Sequence, residues 1–207
     1  GIRDVERSRR LGDVYKRQVK NSKKAAPLLF NLAELQNICA KRFKISPNET
    51  LSIAQTLYEK KLTTYPRTDA RVLSTAVAVE INKNIRGIHE GYSNTSKYTD
   101  IILGEELYRN ISNSKYTNDS KVTDHYAIIP TGDTAEIASL SKLQADVYDL
   151  IVRRFLSIFY PTATYKTVNI SFMVDNELFT TSSKCLVDKG YLDIICLLYT
   201  SDAADEL

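Results

Sequence analysis

Thr64-Tyr65-Pro66-Arg67-Thr68-Asp69 places a phenol, a guanidinium and a carboxylate within six residues. Pro66 stops the short β-prone stretch Leu62–Tyr65. On extended backbone, residues two apart point the same way, so Tyr65 and Arg67 are expected to face one ligand. A phenol with a pKa near 10 is only about 0.1% ionised at neutral pH. It becomes a nucleophile when a positive group stabilises the phenolate or a base accepts its proton. A guanidinium such as Arg67 holds a phosphate by forked hydrogen bonds. A trigonal-bipyramidal phosphorus transition state gains negative charge, and a positioned donor there contributes about 3–4 kcal/mol. The pattern points to phosphoryl chemistry at a tyrosine.

A second patch is Lys121-Val122-Thr123-Asp124-His125-Tyr126-Ala127-Ile128-Ile129-Pro130-Thr131. His125 stands among charged residues just before an apolar run, where it can hydrogen-bond a phosphate or a leaving oxygen. The other histidine, His89, reads as a loop residue with nothing around it. The residues alone leave a plainer reading open. The chain has 13 tyrosines, and a tyrosine beside a proline commonly packs in a turn or core with a wet hydroxyl. Arginine on a surface is commonly an ion-pair partner.

These segments need elements to hold them. Asn31 is an N-cap for a helix to about Phe43, with Leu32, Leu35, Ile38, Cys39 and Phe43 on one face. Ser46, Pro47 and Glu49 give three start signals for a second helix to about Lys60, carrying Leu51, Ile53, Ala54, Leu57 and Tyr58. The two make a helix-turn-helix-like pair. Val72–Ile85 reads as a third helix, and Ile101–Tyr108 as a short one between polar loops. Ser141 and Gln144 form a capping box for the longest helix, to about Phe159, stopped by Pro161. After Pro161 the period changes from 3.6 to 2. Lys166, Val168, Ile170, Phe172 and Val174 form the more apolar face of a strand, Asp175-Asn176 is a turn, and Leu178–Ser182 returns. Gly190–Ile195 reads as one more strand.

Composition sets the outer bounds. With 207 residues, 43% hydrophobic and 26% charged, the chain has room for one or two domains with a buried core. Seven glycines and five prolines exclude collagen-like and linker-like classes. No apolar run approaches the roughly 20 residues of a membrane-spanning helix, and no signal peptide is visible. Three cysteines without a CxxC pair argue against a disulfide framework or zinc site and fit a reducing cytoplasm. A net charge of +3 is compatible with nucleic acid but too small to argue for it. Leu11–Gln18 (LGDVYKRQ) and Cys196–Leu207 (CLLYTSDAADEL) read as translated sequencing-adapter tails. Residues 1–18 and 196–207 are therefore expected to lie outside the fold, of a piece cut from a longer gene. Residues 19–161 form a helical domain and 162–195 the start of a β domain. The class is α+β.

Leu57-Tyr58-Glu59-Lys60-Lys61-Leu62-Thr63-Thr64-Tyr65-Pro66-Arg67-Thr68-Asp69 resembles the active-site signature of type IA DNA topoisomerases, in the Tyr-Pro-Arg form of the bacterial topoisomerase III branch. Leu28-Leu29-Phe30-Asn31-Leu32-Ala33-Glu34-Leu35-Gln36 resembles the entry into that family's tyrosine-bearing helical domain. Lys121–Thr131 resembles its histidine motif, and Tyr165–Asp193 the first returning strands of its arch domain. The resemblance covers about Lys20–Ile195, with the motifs in the family's order, which is far more specific than any one of them.

The resemblance implies a fold: a tyrosine domain with CAP-like helix-turn-helix helices, followed by the first antiparallel strands of the arch. It also implies a reaction. Tyr65 attacks a phosphodiester of single-stranded DNA and forms a 5′-phosphotyrosyl bond. Arg67 binds the scissile phosphate, and His125 contacts that phosphate or the attacking hydroxyl. Thr68 and Lys121 are weaker candidates for contacts to the DNA backbone. No ATP is required. Mg²⁺ belongs to the family's Toprim domain, which is missing here, and no metal ligand is assigned in this chain. The expected partners are single-stranded DNA and the missing domains of a parent chain, monomeric, cytoplasmic and nucleoid-associated. Ala70 departs from the serine or cysteine common in the family, with little expected consequence. The chain alone is expected to be inactive, and a non-catalytic DNA-binding module is the alternative.

Overall fold

The computed structural model describes residues 14–174 and 177–195. It divides into a helical unit, built on Ala26–Pro161 and rejoined from Tyr191, and a sheet unit that includes Thr162–Gly190 and the residues before Ala26.

In the helical unit, α1 spans Leu32–Phe43 and α2 spans Pro47–Glu59. Asn31 Oδ1 accepts from the Glu34 amide at 2.9 Å, and Ser46 Oγ accepts from the Glu49 amide at 3.1 Å. Each relieves one of the donors that a helix start leaves unpaired. The third helix, α3, spans Thr75–Gly91. It starts later than the expected Val72, because Ser74 supplies the cap, and ends later than the expected Ile85. The short helix α4 spans Ser96–Gly104, earlier than Ile101–Tyr108. His89 therefore lies on α3 and not in a loop, with its Nδ1 3.1 Å from Thr99 Oγ1 and 3.5 Å from Asp100. The longest expected helix is present as α5, Lys142–Ser157, with the Ser141–Gln144 box closed in both directions.

Leu57, Ile81, Ile85, Ile88, Ile102, Val147, Ile151 and Phe155 are fully buried and make up the centre of this unit. The strand expected over Gly190–Ile195 does not form. Leu192–Ile195 is a short helix, α6, in which Ile194 and Ile195 are buried. Arg153 donates to the Ile194 carbonyl at 3.2 Å and Tyr98 to the Asp193 carbonyl at 2.9 Å. Burial against the helices decides the form of an apolar run too short to carry a period.

The sheet unit has three antiparallel strands in the order β1 (Val14–Lys24), β2 (Ala163–Val174) and β3 (Glu177–Asp188). The expected turn Asp175-Asn176 lies outside the described residues, as do residues 1–13 and 196–207. The return strand is longer than Leu178–Ser182 and is exposed along its length. Val14–Gln18, expected outside the fold, pair with β2: Gln18 lies opposite Asn169 and Arg17 opposite Ile170. An open edge on β2 takes up extended backbone whatever its side chains. The expected apolar face is only partly sorted by burial. Lys166 is exposed, and Val168, Ile170 and Phe172 are half-buried like Tyr165 and Thr167.

One close approach fixes the loop after the histidine patch. A Cβ on Gly87 of α3 would stand 2.2 Å from the Gly132 carbonyl oxygen. Gly132 itself has φ +93°, a conformation glycine adopts without a steric cost. Asn84 Nδ2 donates to the Pro130 carbonyl at 2.9 Å beside it. Gly87→Ala is expected to lower stability by about 1–3 kcal/mol, since backbone must move to admit the methyl. Gly104→Ala, where a Cβ meets nothing within 4 Å, is expected to be neutral or stabilising. Urea unfolding of the two variants measures the difference.

Candidate active site

The tyrosine loop begins where α2 ends. Lys61 has φ 59°, its amide bonds the Tyr58 carbonyl at 2.8 Å, and the Leu62 amide bonds the Leu57 carbonyl at 2.9 Å. This pair is a Schellman ending, and it reverses the chain into the loop. The loop is then stitched to the histidine patch. The Thr64 amide donates to the Ile129 carbonyl at 2.9 Å. Thr64 Oγ1 donates to the Ala127 carbonyl and accepts from the Ile129 amide, each at 3.0 Å. Thr63 and Pro130 form an isolated antiparallel bridge, where a strand was expected over Leu62–Tyr65. Further on, the Ala127 amide bonds the Val72 carbonyl at 3.0 Å.

The loop's other side is held by the start of α1. The Leu32 amide donates to the Thr68 carbonyl, Asn31 Nδ2 to the Asp69 carbonyl, and the Leu29 amide to the Arg71 carbonyl, each at 3.2 Å. The Ile128 amide closes the ring by donating to the Phe30 carbonyl at 2.8 Å. The three segments read as motifs in the sequence thus meet in one hydrogen-bonded assembly.

Tyr65 is half-buried. Its ring lies 4.4 Å, centroid to centroid, from the His125 ring, and 5.4 Å from Tyr58 in an edge-on arrangement. Tyr58, Glu59, Lys61, Tyr65, His125 and Tyr126 line a cleft of about 530 Å³. Arg67 is exposed and does not line this cleft. Lys121, on a single 3₁₀ turn at Asp119–Lys121, is also exposed and outside it. Thr68 is buried, and its hydroxyl is engaged inside the protein, bonding the His125 carbonyl at 2.8 Å. The structure therefore brings Tyr65 and His125 together, tucks Thr68 beneath them, and leaves Arg67 and Lys121 facing solvent.

Sequence reasoning missed Tyr58. It was named only among the residues its helix carries, yet it is 43% exposed and its ring touches Tyr65. Its position one helical turn before the loop was the available signal. Thr64 was missed too, since its partners are 63 and 65 residues away. Among the described residues, no group of three His, Cys, Asp or Glu side chains is placed to hold a metal ion. Glu59 is the one carboxylate lining the cleft among the described residues. No helix among these residues is long and apolar enough to cross a membrane.

The DNA topoisomerase family model matches residues 2–207. The chain belongs to the type IA DNA topoisomerase family. It is 36% identical to DNA topoisomerase 3 of Bacillus subtilis over 189 residues, covering 90% of this chain and 25% of that protein. It is 37% identical to DNA topoisomerase 3 of Bacillus licheniformis, covering 83% of this chain and 23% of that one. The fold matches full-length topoisomerase I of Thermotoga maritima with a TM-score of 0.61 at 22% identity, over 92% of this chain and 31% of that one. The mixed helix-and-sheet class expected from the sequence agrees with this match. The chain spans about a quarter of the length of the topoisomerase relatives it matches.

The chain approaches His125 through the Asn118–Asp124 segment, which Asp119 ties to α3. Asp119 accepts from the Thr75 amide at 2.8 Å and the Thr75 hydroxyl at 2.6 Å. The hydroxyl bond first, and the amide bond second, hold the Asp119 carboxyl below its ordinary value. A lowered folded-state pKa means that this tie is present above the ordinary carboxylate range and is lost as pH falls through the lowered midpoint. A carbon-detected NMR titration is expected to give Asp119 a midpoint below that of an ordinary aspartate, moving back up in Thr75→Ala.

Proposed function

We propose that this chain is the nucleophile-bearing part of an enzyme that cleaves and rejoins single-stranded DNA to change its topology. The observation that carries the reading is the Tyr65 ring against the His125 ring, in a cleft closed beneath by the interlocked motif segments.

The Tyr65 phenolic oxygen attacks a phosphodiester phosphorus. The phenol gives up its proton, the phosphorus–O3′ bond breaks, and the leaving 3′-oxygen takes a proton. One phosphate ester replaces another, so the 5′-phosphotyrosyl bond conserves the energy of the original linkage and no ATP is needed. The reverse attack by the 3′-hydroxyl reseals the strand. His125, beside the phenol, hydrogen-bonds the phosphate or the reacting hydroxyl. Arg67, free of side-chain hydrogen bonds and ion pairs among the described residues, reaches for the scissile phosphate as DNA settles over the loop. Lys121 supplies a contact to the DNA backbone. The donor set around the cleft, one glutamate and one histidine, does not fit a magnesium site. Mg²⁺ is assigned to a Toprim domain elsewhere in a longer, monomeric parent, working on DNA in the cytoplasm at the nucleoid.

The test supplies the remaining domains in trans from a related enzyme, with labelled single-stranded DNA and Mg²⁺, followed by denaturation. A covalent protein–DNA adduct that Tyr65→Phe abolishes is the expected result. Binding without an adduct leaves a non-catalytic DNA-binding module instead. The 207-residue chain by itself is expected to give negligible relaxation of supercoiled plasmid with Mg²⁺.

A further inference from the structure

The hydroxyl of Thr68 sits where the tyrosine loop passes the histidine patch. The residue is 7% exposed. Oγ1 donates to the His125 carbonyl at 2.8 Å and accepts from the Ala70 amide at 3.1 Å. The Thr68 carbonyl meanwhile accepts from the Leu32 amide at 3.2 Å, at the first residue of α1. One residue therefore links the tyrosine loop, the entry helix and the histidine.

The bond from Thr68 is the one hydrogen bond His125 makes among the described residues. The His125 side chain is exposed, and the residues just before it, Thr123 and Asp124, are exposed as well. The firm hydrogen bonding of the patch begins two residues later, at Ala127. The Thr68 hydroxyl is thus the one bond made directly to the His125 main chain among the described residues, two residues before the Ala127 anchor.

We infer that Thr68 is a positioning residue, which holds the His125 ring against the Tyr65 ring and does not itself touch DNA. The inference rests on the transesterase reading above. Its chemistry is specific. A hydroxyl is needed at this point because it must donate to one backbone group and accept from another. Valine fills the same space and does neither, leaving a buried amide and a carbonyl without their partner. Serine does both.

The experiment uses a chimera in which this chain replaces the matching segment of the Bacillus subtilis DNA topoisomerase 3, with single-turnover cleavage of labelled single-stranded DNA as the readout. Thr68→Val is expected to slow cleavage by about tenfold, as loss of one aligning bond does when reacting groups shift slightly. DNA affinity stays within about twofold, because Thr68 lies off the DNA. Thr68→Ser restores the rate. In a His125→Ala background Thr68→Val adds nothing further, since groups acting through one another are not additive. A second readout needs no activity: the NMR cross-peak between the Tyr65 and His125 rings in the 207-residue chain survives Thr68→Ser and fades in Thr68→Val.

Weakened DNA binding in Thr68→Val, full additivity with His125→Ala, failure of serine to rescue, or an unchanged ring cross-peak in the valine variant each overturn the assignment. An unsubstituted chimera that forms no adduct overturns the transesterase reading, and the assignment with it.

Discussion

The site depends on backbone hydrogen bonds between segments far apart in sequence. Phe30 pairs with Ile128, Thr64 with Ile129 and Thr68 with Leu32. A loop that carries a reactive group normally runs over the surface with its polar groups in water. Here the loop from Leu62 to Leu73 is instead walled by main chain on both sides, so its buried amides and carbonyls are paired within the protein. That pairing leaves few conformations for Tyr65. The hydroxyls of Thr64 and Thr68 add bonds to backbone groups across the loop.

The helices serve this assembly more than they form the site. The end of α2 aims the chain into the loop through the Lys61 turn. The start of α1 receives the Thr68 carbonyl, and α3 presses on Gly132 to hold the far end of the histidine patch. Each helix contributes a terminus or one bare patch of backbone. The fully buried residues of α3 and α5 make those contacts rigid. Side chains that line the cleft are aromatic or polar, while the core of the helical unit mixes aliphatic residues with buried rings such as Phe30, Tyr148 and Phe155.

Much of the helical unit was legible in the sequence because its signals are local. The caps at Asn31, Ser46 and Ser141 lie within three residues of the amides they satisfy. The end of α3 was not legible, since the helix runs on past Ile85 through Gly87, a place of backbone contact with Gly132 that the local sequence does not announce. The Gly190–Ile195 run was too short to distinguish strand from helix. In β1 the lysines carry no period, and its pairing is set by the free edge of β2. At the site, Tyr65 and His125 stood out by residue type and motif, but the roles of Thr64 and Thr68 lay in partners roughly sixty residues away. Tyr58 illustrates the same limit: the sequence named it only as a residue of its helix, whereas its ring meets Tyr65 across the start of the loop.

Native-state hydrogen exchange on the 207-residue chain tests most directly whether the three segments form one assembly. The amides of Leu32, Thr64, Ala127, Ile128 and Ile129 are expected to be strongly protected and to open together with the helical core. Exchange of the Thr64 and Ile129 amides at the rate of a free loop, with the helices still protected, would contradict it.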